Sequence, residues 1–197
     1  MKLGDYSLDI LGGKLQKDGY ILMKDNTQYK LLMINFSDKK CDAKVKIDGK
    51  LIGIWRVEPK QHIIIDRPSA DTGLLTYYEL GGEHSEKAQL FLNESLGLIS
   101  VTYLPEKIKD TPQSTKTPAL LGRQQASSIC LAQKAPPYYC QPKAQEGCYQ
   151  QAGGTGLSGE SSQFFSRAEQ INYQEESART INVRLYSSNS DEARPLY

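Results

Sequence analysis

One two-residue turn signal, inside "CDAKVKIDGKLIGIWRV", constrains the fold of this chain more than any other stretch. Ala43, Val45 and Ile47 alternate with Lys44 and Lys46, the period-two pattern of a strand with one buried face. Asp48-Gly49 follows, and these two residue types tolerate the positive φ that a type I′ turn needs at both central positions. The stretch therefore predicts a hairpin of Lys44–Ile47 against Lys50–Val57.

The same grammar runs from Gly19 to Pro105. "YILMKDNTQYKLLMINF" holds two apolar runs around Asp25-Asn26, the second alternating through Tyr29, Leu31 and Met33 with an expected slip near Asn35 toward Phe36. "QHIIID" ends at Arg67-Pro68, where proline cannot donate to a ladder. "GLLTYYEL" stops at Gly81-Gly82, "SEKAQLFLNES" predicts a short helical or irregular excursion, and "LGLISVTYLPE" predicts a strand closed by Pro105. Many short strands without helix periodicity argue for an all-β chain: an antiparallel β-sandwich, jelly-roll or immunoglobulin-like, not a parallel βαβ sheet. Twelve Tyr against four Phe and one Trp fit that strand-rich composition.

Residues 1–18 are expected to be an N-terminal extension and 19–105 the main part of the sandwich. Residues 106–152, rich in Pro, Gln, Ser, Thr and Ala, have no sustained period and are expected to form a long irregular insertion or arm. Tyr138, Tyr139 and Tyr149 within it are candidate docking points on another surface. Residues 153–187 are expected to hold a glycine loop and a closing strand, "ARTINVRLYS", whose Ile181, Val183 and Leu185 alternate against Asn182, Arg184 and Tyr186. Residues 188–197 form a C-terminal tail.

"GGTGLSGESSQFF" comes within one residue of the phosphate-loop pattern, but Glu160 stands where the phosphate-bridging lysine belongs. A nucleophile elbow is excluded because Glu160 replaces its second glycine. Gly153, Gly154, Gly156 and Gly159 are instead expected to permit a tight or closely packed backbone path, as a compact turn against a neighbouring surface. Gly154, Gly156 and Gly159 are thus candidate interaction residues. Trp55 and Arg56 are neighbours on one strand, which sends Trp55 to the core and Arg56 outward.

Other chemistry is sparse. Cys41, Cys130, Cys140 and Cys148 include no CxxC pair, so no metal site is expected; Cys130, Cys140 and Cys148 could include one disulfide in an oxidising compartment. His62 falls inside a strand run and His84 in a loop beside Glu83 and Glu86. Neither has a local catalytic partner, so no catalytic residue and no cofactor are expected. Charges nearly cancel, 24 Lys and Arg against 23 Asp and Glu, without a charge block, which argues against nucleic acid as a partner. Asp5 and Asp9 interrupt the N-terminal stretch, so no secretory signal is expected, and no run reaches membrane-span length.

The ordered segments "QYKLLMIN", "CDAKVKIDGKLIGIWRV", "IIIDRP", "LLTYYEL", "LGLISVTYLPE", "GGTGLSGESSQFF" and "TINVRLYS" resemble a largely uncharacterised β-sandwich family of large DNA viruses and some bacteria. The resemblance covers about residues 20–105 and 153–186, with Asp66 where the family pattern has Glu. It implies a non-enzymatic structural or interaction protein of a large assembly, a minor capsid-associated component of a virion, in the virion or cytoplasm. Other protein subunits, or further copies of the chain as a homo-oligomer, would be its partners. A carbohydrate- or ligand-binding sandwich is the alternative, with Trp55 and exposed Tyr residues on one face, and an enzyme centred on His62 or His84 a second.

Overall fold

The computed structural model describes residues 1–16, 19–107 and 150–188. The Asp48-Gly49 hairpin forms as expected: β7 (Cys41–Ile47) pairs antiparallel with β8 (Lys50–Val57), with Ile47 opposite Lys50. Both turn residues take positive φ, 50° and 79°. One register shift, between Val45 and Lys46, bends the ladder.

Before this hairpin the chain lays down β1 (Lys2–Leu3), β2 (Tyr6–Leu11), β3 (Lys14–Leu15), β4 (Tyr20–Leu22), β5 (Thr27–Gln28) and β6 (Lys30–Asn35). After it come β9 (His62–Ile65), β10 (Leu74–Glu79), the short helix α1 (Glu83–Lys87), β11 (Leu98–Pro105), β12 (Gln150–Ser158) and β13 (Arg179–Ser188). Four strands form one sheet in the order β1-β2-β6-β9, and the path β5-β10-β12-β13-β11-β7-β8 forms the other, with β3 and β4 attached. The fold is an all-β sandwich. Its pairing is antiparallel except where β4 runs parallel to β13, Tyr20 to Leu22 beside Arg184 to Tyr186.

Inward-facing residues of both sheets share one core. Tyr6, Leu8, Leu31, Met33 and Ile65 of the small sheet meet Ala43, Val45, Leu75, Ile99, Val101, Tyr103, Ile181 and Val183 of the large one. Tyr6 and Tyr103 stack across the two sheets at 4.6 Å, and the Tyr103 hydroxyl donates to the Ser7 carbonyl at 2.6 Å. The polar end of a buried tyrosine is thereby satisfied inside an apolar layer.

Four expectations are corrected or refined. The boundary at residue 18 divides nothing: Tyr6, Leu8 and Ile10 are buried, and β2 pairs with β6 along six residues. Asp9, read as an interruption, occupies an outward position of the same period-two pattern. Asn35 causes no slip; it stays fully buried, with its amide nitrogen donating to the carbonyls of Lys39, Val57 and Glu58, while Phe36 is exposed. Arg56 takes the outward face of β8 as expected, but that face is covered there: it lies against Asp42, which also accepts from the Tyr173 hydroxyl at 2.8 Å.

The fourth concerns the glycines, which form extended strand and not a loop. Gly153–Ser158 pairs with Leu74–Glu79, and Gln150–Ala152 pairs with the end of β13, so the strand begins before the expected end of the arm. Residues 108–149 of that arm lie outside the described residues, among them Tyr138, Tyr139, Tyr149, Cys130, Cys140 and Cys148, as do residues 189–197.

Residues 159–174 have no regular structure, yet they strap together two sheet edges. Gln163 uses its side-chain amide to bond Ile64 and Asp66 beside β9, and Ser161 donates to Asp66 at 2.6 Å. Phe165 packs edge-on against Trp55 of β8, 5.7 Å between ring centres. The buried Arg67 guanidinium lies 4.2 Å from the Phe165 ring and donates to the carbonyls of Gln163, Pro68 and Asp71. Farther along, Arg56 bonds the Glu169 carbonyl at 2.7 Å. The strap covers the sides of both edge strands, which limits unwanted strand addition there.

Candidate functional site, a glycine-floored groove

β12 carries almost no side chain along one of its faces, because that face is already occupied by residues from elsewhere. A Cβ at Gly154 would lie 2.6 Å from Leu96 and 3.1 Å from the Asp48 carboxylate. One at Gly156 would lie 2.6 Å from the Tyr78 ring and 2.9 Å from Ala88. Both distances are too short for a real side chain, so glycine is required by space, and the strand is bare where other groups close over it. Gly153 is tighter still, 2.2 Å from the Tyr77 hydroxyl.

Beside Gly156 and its neighbours Thr155 and Leu157 lies an open groove of about 460 Å³, walled by the β7–β8 turn on one side and α1 on the other. Ile47, Ile52, Pro68, Leu75, Leu90 and Leu157 supply its apolar lining. Lys50, His84 and Lys87 supply cationic or titratable nitrogen, and Tyr78 an aromatic face on which the His84 ring stacks at 5.4 Å. A mostly apolar concavity of this size with a few convergent polar groups is the usual form of a ligand site.

Asp48 braces the groove. Its Oδ1 accepts the Gly97 amide at 2.6 Å and its Oδ2 the Thr155 amide at 2.7 Å. Gly97 opens the segment that leads into β11, and Thr155 sits on β12, so one carboxylate ties three parts of the large sheet together. Burial pushes the Asp48 carboxyl above its ordinary range, while the two amides and nearby Lys50 and Arg184 pull partly the other way. Thr155 is held on its other side too, its hydroxyl 2.6 Å from that of Tyr29. Each Asp48 oxygen thus accepts one backbone amide, and no hydrogen bond joins Asp48 to His84 among the described residues.

A second concavity of similar volume is lined by Asp5, Asp38, Lys39, Lys60 and Arg179. One ion pair lies on it, Lys60 with Asp38 at 3.1 Å; Lys60 also bonds the Phe36 carbonyl at 2.6 Å and Lys39 the Gln174 side chain at 3.2 Å. Lys50, by contrast, has no salt bridge among the described residues, and Lys87 pairs only with its exposed helix neighbour Glu83.

Of the residues picked out by sequence, the structure brings Gly156 and His84 to this groove, while Gly154 lies buried beneath Leu96 and Leu90 and takes no part in the lining. Gly159 ends β12 with φ +63° and lies exposed at its edge. His62 is exposed on β9 and takes no part in the lining. Trp55 is buried, which removes it as an exposed sugar-stacking platform. Sequence reasoning missed Asp48, Lys50, Tyr78 and Lys87, because a turn signal accounts locally for the first two and a strand pattern for Tyr78.

No group of three His, Cys, Asp or Glu that could hold a metal occurs among the described residues, and none of their helices is long and apolar enough to cross a membrane. The chain matches no protein-family model, no curated protein and no solved structure.

Proposed function

We propose that this chain is a non-enzymatic binding module of a larger assembly and that its recognition site is the groove lined by Thr155, Gly156 and Leu157. The observation that carries the reading is an open, mostly apolar concavity whose one half-buried carboxylate accepts two backbone amides. A catalytic histidine needs a positioned partner. His84 has a tyrosine ring beneath it and lysines in the same lining.

Membership of an assembly, a virion in the form the resemblance implies, draws support from apolar side chains outside the core. Phe91 and Leu92 are 74% exposed and Phe164 is 95% exposed. Large apolar groups left in water are commonest where another surface covers them.

A survey of small soluble fragments by amide chemical-shift mapping on the full chain tests the site. Binding fragments are expected to shift Lys50, Thr155, Gly156 and Leu157 together. Fragments that bind only elsewhere, with those amides unmoved, would overturn the assignment.

A further inference from the structure

We infer that the groove takes a small organic anion with an apolar body, an aryl- or alkyl-carboxylate being the simplest case. This rests on the groove being the recognition site and adds the chemistry of its occupant. The lining is sharply unequal in charge. Lys50, Lys87 and His84 are its basic groups, and its single acid, Asp48, is turned into the backbone, where the Gly97 and Thr155 amides hold both oxygens. A cationic guest would find a single carboxylate on this lining, already accepting two amides and outnumbered by the basic groups. An anionic one would meet at least the ammonium of Lys50, which has no salt bridge among the described residues.

The remaining lining sets the body of the guest. Ile47, Ile52, Leu75, Leu90 and Leu157 offer no hydrogen bonds, so a sugar would leave most of its hydroxyls unpaired on entering. Gly156 adds no side chain to the lining, and Tyr78 with His84 gives a stacked aromatic pair along one wall. A ring or short alkyl chain fits that lining, with its carboxylate directed to the lysines. A volume near 460 Å³ holds a guest of this size and excludes a long polymer from lying wholly inside.

The test uses 4-phenylbutyrate and its neutral counterpart 4-phenylbutan-1-ol, titrated into the full ¹⁵N-labelled chain. The acid is expected to shift the Lys50, Thr155 and Gly156 amides saturably, and the alcohol to bind the same site at least about tenfold more weakly. Lys50→Gln combined with Lys87→Gln should bring the acid down to the alcohol's affinity while leaving the alcohol unchanged. Both lysines are exposed, so the double variant is expected to fold, which its amide spectrum checks directly. Equal binding of acid and alcohol at the groove, or indifference of the acid to the double variant, would overturn the anionic assignment and leave the groove reading standing. If neither probe moves the groove amides, and the fragment survey also leaves them unmoved, both fall together.

Discussion

Thr155 donates its backbone amide to the Asp48 carboxylate at 2.7 Å across 107 residues of sequence. That bond joins a hairpin turn to a strand it never pairs with, and a second amide, Gly97, fills the other oxygen at 2.6 Å. The turn residue is therefore also a latch.

Titration of Asp48 follows from this placement. Burial holds its carboxyl above the ordinary carboxylate value of about 3.9. A native value raised above the unfolded one means the folded state binds that proton more tightly. The contribution of this group to stability is then complete below about pH 4 and is lost as pH rises through its native pKa. Carboxyl-carbon NMR should show Asp48 titrating above the exposed aspartates; titration below them would contradict the burial argument. Asp48→Ala should destabilise at neutral pH by about 1–3 kcal/mol in denaturant unfolding, because two amides lose their acceptor.

The glycines offer a contrast within one residue type. Gly153→Ala must push a methyl against the Tyr77 hydroxyl and the Tyr78 carbonyl, 2.2 and 2.5 Å away, and should cost about 2–4 kcal/mol or prevent folding. Gly82→Ala meets only the Glu79 carbonyl at 3.6 Å and should stay within about 0.5 kcal/mol of the parent. Chemical denaturation of the two variants decides it, and equal effects would remove the spatial explanation for the bare strand.

Those same glycines mark where sequence reading runs out. Their density reads as a turn, because glycine permits turns locally. What makes them a strand is pairing with Leu74–Glu79 and crowding from Leu96, Tyr78 and Ala88, none of which is nearby in sequence. The Asp48-Gly49 hairpin was legible because its causes are local, an alternation and a turn pair. The long-range use of Asp48 was not. For β2 the reverse holds. Tyr6, Leu8 and Ile10 carry a readable period-two pattern, but Asp5 and Asp9 were weighed as breaks in an apolar run when Asp9 is the outward member of an amphipathic one. Arg56 shows a third limit, since alternation gives the face of a side chain and not the partner, here Asp42, waiting on that face.

The strap separates two adjacent phenylalanines. Phe165 packs on Trp55 and under Arg67, so Phe165→Ala should lower stability by about 2–3 kcal/mol. Phe164 is 95% exposed, and Phe164→Ala should change stability by less than about 0.5 kcal/mol. Thermal unfolding of both variants reads the difference. A loss at Phe164 as large as at Phe165 would mean that the strap lies otherwise.

Cys41 provides a chemical probe of the core. It is fully buried on β7, and burial, with Asp42 beside it, pushes its thiol up to about 12. The thiolate is the reactive form. Peptide mapping after iodoacetamide treatment at pH 8 should find Cys41 unmodified in the native chain and modified after denaturation. Rapid native labelling would show that the sandwich opens at this strand.

The most direct measurement is a crystal structure of the full chain soaked with 4-phenylbutyrate. The account predicts the phenyl ring against Gly156 and Leu157, beside Tyr78, and the carboxylate about 2.8–3.2 Å from the ammonium of Lys50 or Lys87. A ring bound elsewhere, with Gly156 and Leu157 left bare, would contradict the claim that this groove is the recognition site.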